Sequence, residues 1–415
     1  MEQTELKLEE MSGFVDFTKY PNPPVLRNAL EEARLRVPDG GGLFQIQFGP
    51  SKFVRFRVVK KLSSNKTGSA TSYVARELNS GLFAQKLVLD EQSQLDEDEA
   101  EDELSTDNDA DNDENENENN KKSALQRQFI LSVESPQSAW EFYVLKTLRN
   151  RCSEDRVRIL TSIPNPVSCH LFADASCMRH EYCSEFSLYD AIAASSRAYG
   201  SGLGGGIEEI LAAFWTIEAM RTIEAVHLAG FLHGAVNVRN IYVRLQQSVN
   251  MIGGPGHWDS KYDATGRNGW SLKGVSVQEW KQAIDLFAFP VEQNFLFDSE
   301  SSQCWECVNG IPCKYEPDWF GVASVVHWML FGKEIVVVSE NIEGRTRPKF
   351  KVANKFMRSW QVSLWERLFD VLLNLENADG SVIENGTVDV ASFMNDEEFA
   401  DFASEFPPAI QLRAL

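Results

Sequence analysis

The sequence predicts an α+β protein of two lobes, and three observations carry that expectation. Strand-like segments crowd the first third of the 415-residue chain, helix-like segments fill most of the remainder, and no internal repeat interrupts the order. A hydrophobic content of 43% is enough to build a sizeable core. The length suits two or three units, or one domain of two lobes.

Taken in order, residues 1–52 form an N-terminal extension with a helical stretch at Val25–Leu35, closed by Gly40-Gly41-Gly42 and Gly49-Pro50. Residues 53–62 alternate well enough to be a strand, and 72–77 and 82–89 read as two more. The segment Asp90–Asn120 holds sixteen carboxylates and no Lys or Arg, so it repels itself and is expected to be disordered. A solvated insertion is the plain reading of it; a docking site for a basic partner is the sharper one. Strand character returns at Phe129–Val133. Helices are then expected at Trp140–Leu148, Leu188–Ser196, Ile207–Ala229 (amphipathic), Trp319–Phe331 and Leu364–Leu375. The Gly-rich pieces Gly200–Gly206 and Gly253–Gly256 read as loops, because neither follows a strand and opens a helix as a phosphate cradle does. The expected division is 1–52, a small lobe over 53–182 and a helical lobe over 183–415.

Charge excludes one class of function. The net charge is −21, and removing the sixteen carboxylates of 90–120 leaves only −5. Nothing there favours a phosphate backbone, so no nucleic-acid partner is expected. No apolar run reaches the ~18 residues of a spanning helix, and the acidic start lacks a signal peptide's apolar stretch. Seven cysteines without such a signal fit a reducing compartment. A soluble protein of cytosol or nucleus, with no membrane partner, is expected.

The most informative segment is Val226–Val243. It gives a helix ending in His-x-x-Gly, then His233 and, seven residues later, Asn240 before an apolar strand. This resembles the catalytic loop of protein kinases. That loop needs an Asp two residues after the His to accept the substrate's proton, and the Asn to hold a metal ion. The Asp position is Ala235, whose methyl group can neither take a proton nor orient a hydroxyl. His233 reads as a structural ring that holds local backbone rather than as a general base.

Further segments narrow the resemblance. Phe129–Val133 followed by Trp140-Glu141-Phe142-Tyr143, the run Ala283-Ile284-Asp285-Leu286 with Phe289-Pro290, the loop Ser302–Cys307, and Asp318–Ala323 ending in Met329-Leu330-Phe331-Gly332 are together similar to the Bub (budding uninhibited by benzimidazole) family of mitotic-checkpoint kinases. The resemblance covers about residues 53–378 with gaps. It implies a bilobal kinase-like fold with a small β-rich N-lobe and a larger helical C-lobe. It also implies checkpoint or kinetochore proteins as partners, and nucleus, cytoplasm and mitotic kinetochore as places of action. The family's N-terminal repeats are absent, so a fragment of a longer protein is one reading.

The resemblance also assigns residues. The phosphate-clamping strand Lys falls on Ser132, while its C-helix partner Glu141 remains. The metal-binding triplet falls on Glu279-Trp280-Lys281, so Glu279 and Asn240 are the residues left for Mg. The nucleotide loop maps to 63–70 and keeps only Gly68. Lys86, in Phe83-Ala84-Gln85-Lys86, is a candidate substitute lysine. Glu306 stands where kinases anchor the loop through an ion pair with an Arg that the sequence does not identify. Asp318 is expected to cap its helix and fasten the catalytic-loop backbone. Arg239 and Lys281 are read as neutralising Glu141 or Glu279. Cys304-x-x-Cys307 with Cys313 has metal-like spacing, but no matching ligand pair stands at a regular spacing and Cys304 has a place in the family's loop, so no metal is expected there.

Three functions remain open on sequence alone. The first is a pseudokinase with a structural or protein-binding role and no cofactor. The second is a divergent serine/threonine kinase using MgATP, and the third an interaction module working through the 90–120 run.

Overall fold

The computed structural model describes residues 7–19, 26, 43–47, 53–64, 70–78, 128–152, 157–182, 184, 186–199, 205–245, 263, 270–298, 302–342 and 347–375. The acidic run, the strand expected at 82–89, Lys86 and Gly68 lie outside these residues, as does nearly all of the helix expected at Val25–Leu35. The chain divides into two compact units, one of residues 1–142 with 166–182 and one of 143–165 with 183–415.

The first unit is a seven-stranded sheet in the order β1-β6-β7-β5-β4-β3-β2. Its strands are β1 (Phe14–Asp16), β2 (Leu43–Gln47), β3 (Phe53–Ser64), β4 (Ala70–Leu78), β5 (Gln128–Glu134), β6 (Pro166–Leu171) and β7 (Ser176–Glu181). Two differences from the sequence reading are physical. The expected N-terminal extension supplies two strands, β1 running parallel to β6 and β2 antiparallel to β3. The stretch after Trp140 is not purely helical either, since β6 and β7 return to the sheet. Along β5 the period of two sends Phe129, Leu131 and Val133 into a cluster with Phe17, Ala75, Phe172 and Cys177.

Two buried histidines of this sheet make a pH-dependent contribution. Burial holds both His170 and His180 down to about 4, with Arg179 adding to the effect on His170. Unfolded, each has a pKa near 6.5. Both are neutral above that value in either state. Between pH ~6.5 and ~4 the unfolded chain binds protons that the folded one refuses, so stability falls as pH falls, by up to about 1.4 kcal/mol per pH unit for each ring. A urea midpoint that drops from pH 7 to pH 5, with a shallower drop for His180→Gln, is the expected result. A flat profile, or an unchanged slope in the variant, contradicts it.

Helix α1 (Trp140–Cys152) starts in the first unit and continues into the second. The second unit contains α2 (Val157–Ser162), α3 (Leu188–Tyr199), α4 (Glu209–Leu228), α5 (Trp305–Val308), α6 (Glu316–Phe331) and α7 (Val362–Leu373). Three small ladders join them, namely β8 (Phe231–Leu232) with β11 (Ile284–Asp285), β9 (Ile241–Leu245) with β10 (Lys273–Val277), and β12 (Val337–Glu340) with β13 (Lys349–Val352). The expected amphipathic helix is α4, but it is buried on every face from Leu211 to Met220 and mostly so to His227. Its polar residues survive there because Thr216 and Thr222 donate to the carbonyls of Ala212 and Glu218, one turn back.

Helix α6 runs beside the loop that follows β8. Gly321 lets it approach that closely: a Cβ there would stand 2.4 Å from the Val236 carbonyl oxygen. Pro317 sits in its first turn, where a missing N–H costs nothing, and Gly332 ends it in the left-handed region at φ 64°. Among the described residues no helix is long and apolar enough to cross a membrane.

Candidate functional site

The loop between β8 and β9 is held by its own backbone and by one carboxylate from α6. Asp318, only 1% exposed, accepts the N–H of His233 at Oδ2 and the N–H of Gly234 at Oδ1, both at 2.8 Å. His227, near the end of α4, places Nε2 2.9 Å from the same Oδ2. Burial opposes ionisation of Asp318, but the hydrogen bond and charge of His227, with the His233 ring and N–H, hold its carboxyl below the usual range. The expected capping role is not present. The N-cap is Tyr315, no side chain caps this end, and both Asp318 oxygens turn to the loop.

His233 is fully committed. Nδ1 accepts the Ala235 N–H at 3.2 Å, so the ring proton sits on Nε2, which faces the Gln278 carbonyl at 3.0 Å. Burial, opposed by Asp318, holds its pKa below the ordinary value, and its edge meets Trp280 at 4.6 Å between centroids. A ring with both nitrogens in use is a brace, not a base. Gly234 adopts φ 73°, and a Cβ there would meet the Gln282 carbonyl at 2.8 Å.

Asn240 and Asn237 both donate their side-chain N–H to the Ala235 carbonyl, at 2.9 and 3.0 Å. The Oδ1 of Asn237 takes the N–H of Arg239, and the Gln278 N–H donates to the Asn240 carbonyl at 2.8 Å. That last bond brings Glu279, the next residue, alongside Asn240. Glu279 is exposed and left-handed at φ 65°, an uncommon conformation for a residue with a side chain. Glu279 and Asn240, the residues the resemblance leaves for a metal, each carry an oxygen of the kind a hard cation takes. Position 235 offers a methyl group and no proton acceptor. The Arg239 guanidinium lies over the Tyr189 ring at 3.6 Å.

Two ion pairs stand elsewhere in the second unit. Arg347 is the partner that the sequence left unnamed, with Nε 2.8 Å from Oε1 of buried Glu306. Burial nevertheless pushes Glu306 up to about 7, outweighing the arginine's pull. Sequence reasoning missed the second pair altogether. Arg151 of α1 grips Asp285 with Nη1 at 2.8 Å and Nη2 at 2.9 Å, while Tyr143 Oη donates to the same carboxylate at 3.0 Å. The guanidinium is sandwiched by Phe231 and Phe287, 4.6 and 4.4 Å from their centroids.

The remaining expected residues belong to the first unit. Ser132 of β5 lies 3.3 Å from Ser72 Oγ and 3.4 Å from His180 Nε2, in a neutral polar group where the resemblance places a lysine. Glu141 is in the first turn of α1, and its charge helps to raise the Cys169 thiol, whose shift is mainly due to burial.

Comparison with known proteins accords with this geometry. No family model matches the chain. It is 32% identical over 255 residues to the spindle assembly checkpoint serine/threonine-protein kinase BUB1 of Saccharomyces cerevisiae, covering 61% of this chain and 24% of that protein. It is 32% identical over 248 residues to bub1 of Schizosaccharomyces pombe, covering 59% and 23%. The mitotic checkpoint serine/threonine-protein kinase BUB1 of Arabidopsis thaliana is 29% identical over 255 residues, covering 60% and 45%. The chain thus spans about a quarter of the length of the two yeast relatives. Among solved structures the BubR1 kinase domain matches with a TM-score of 0.60 and 15% identity, over 98% of this chain and 94% of that one. The fold is accordingly the bilobal α+β fold of kinases, and the matched part of the chain is similar to the Bub checkpoint kinases.

Proposed function

We propose that this domain is a pseudokinase of the spindle assembly checkpoint, acting as a structural or protein-binding element toward checkpoint and kinetochore proteins in the mitotic nucleus and cytoplasm. The observation that carries the proposal is Ala235. The loop around it keeps its braces, His233, Asn240 and the Asp318 anchor, while the position that must take the substrate's proton holds only a methyl group. Ser132, among serines and a neutral histidine, supplies no cation for phosphates. No cofactor is expected under this reading. The checkpoint role comes from the names of the relatives.

A second reading has a specific observation in its favour. The side-chain Oδ1 of Asn240 accepts no hydrogen bond among the described residues, and Glu279, next to the Gln278 that bonds the Asn240 backbone, is exposed, so a Mg ion could still be held and a divergent serine/threonine kinase could still use MgATP. Radiolabelled phosphate transfer separates the two. The expected result is no transfer by the native chain and none by Ala235→Asp, since restoring the base leaves Ser132 and Lys281 in place. Millimolar MgATP is likewise expected to leave the melting temperature unchanged, whereas a ligand at a hundred times its dissociation constant would add about 2.7 kcal/mol. Transfer that disappears in Asn240→Ala or Glu279→Ala establishes the kinase instead. A Mg-dependent thermal shift abolished by Lys86→Ala identifies the substitute lysine.

A further inference from the structure

Three cysteines of the loop preceding α6 converge although nothing in the proposed role uses them. Cys304, Cys307 and Cys313 are 2%, 5% and 3% exposed, and they pack against Phe297 and Phe320. Their sulfurs all lie within 4.8 Å of one another, and those of Cys304 and Cys307 are 3.1 Å apart.

Two separately pinned segments deliver them. Cys304 is the N-cap of α5 and Cys307 lies within that helix. The Cys304 carbonyl accepts the Val308 N–H at 3.1 Å, which fixes their spacing. Cys313 comes from an isolated bridge, with both its N–H and its carbonyl bonded to Phe295 at 2.9 and 2.8 Å. A neutral thiol that served only as a small apolar filler would need no such convergence. Sulfurs sharing one zinc-type ion at about 2.3 Å stand about 3.8 Å apart at the corners of a tetrahedron, within the range these sulfurs span.

We propose that Cys304, Cys307 and Cys313 bind one thiophilic divalent cation of the zinc class. Each thiol gives its proton to solvent as it becomes a ligand. Among the described residues no fourth Cys, His, Asp or Glu joins the group, so a solvent oxygen takes the fourth corner. Glu306 stands between two of the ligands in sequence and pairs with Arg347, so the ion would stiffen the same loop that this pair anchors. The site does not depend on whether the domain transfers phosphate.

The test uses the full chain, reduced and stripped of metal by a chelator, then titrated with Co(II) alone. The expected result is saturation at one ion per chain, with thiolate-to-cobalt charge transfer and the intense visible bands of a four-coordinate ion, displaced by Zn(II). Cys304→Ser, Cys307→Ser and Cys313→Ser should each weaken binding more than about tenfold, a loss that even changes to the neighbours of ligands can cause. A variant that fails to fold does not remove the test. On the native chain, one Zn(II) should be retained through desalting and then released by a chelator, as read by a metal indicator. Absence of a saturable cobalt spectrum overturns the proposal, as does a spectrum that survives the serine variants. So does no retained Zn(II), or a Cys304–Cys307 disulfide in the reduced, zinc-treated chain.

Discussion

Asp318→Ala is expected to cost roughly 3–5 kcal/mol of stability, the range for removing one partner from a buried charged network. The substitution strands the N–H groups of His233 and Gly234 and the ring of His227 in a dry interior, and each orphaned group alone costs about 1–3 kcal/mol. Asp318→Asn should cost less, because one oxygen still accepts a hydrogen bond. The pH dependence has a definite sign. With its folded pKa depressed, Asp318 stabilises the fold fully above the unfolded value of about 3.9, and this is lost only as pH falls through the lower folded value. Melting the variants at pH 7 decides the matter: a temperature within a degree of native for Asp318→Ala would mean that the loop does not rely on this anchor.

Arg151→Met is expected to be nearly as damaging, again about 3–5 kcal/mol, because it leaves the buried Asp285 carboxylate without its bidentate partner. The Tyr143 hydroxyl and the Phe287 N–H still donate to Asp285, but neither carries the opposing charge. A change of both residues to apolar ones, Arg151→Met with Asp285→Leu, should recover part of the loss, since replacing both partners of a buried pair is often nearly neutral. Chemical denaturation of the two singles and the double gives the coupling energy. Additive losses would show that the pair contributes nothing as a pair.

These contacts mark where sequence reading stopped. The loop from His227 to Asn240 was legible because its chemistry is written in contiguous spacing, and one backbone conformation follows from that spacing. The ion pairs were not, because Arg151 of α1 and Asp285 of β11 are 134 residues apart in the chain and only the fold brings them together. Strands β6 and β7 escaped notice because buried Ser168, His170 and His180 break the apolar alternation that a strand normally shows. In α4 the pattern of apolar positions was read as one face, but alanines and threonines between them pack just as deeply, so from Leu211 to Met220 the helix has no wet side to reveal. The three cysteines were recognised by spacing, and only the bridge to Phe295 brings the third to the other two.

The bonding around Ala235 has a consequence for how such a domain changes over generations. Its N–H goes to His233, and its carbonyl receives the amides of Asn237 and Asn240. All of these are main-chain services that any residue compatible with the local backbone performs. The side chain at 235 contributes to the reaction a kinase carries out and to nothing that holds the loop in shape. Loss of the acid there would pass unnoticed by any process that screens for folded protein, whereas loss of Asp318 would not. Catalysis and architecture are therefore separately inherited in this loop, and a lineage can shed the first in a single step while every copy of the protein still folds.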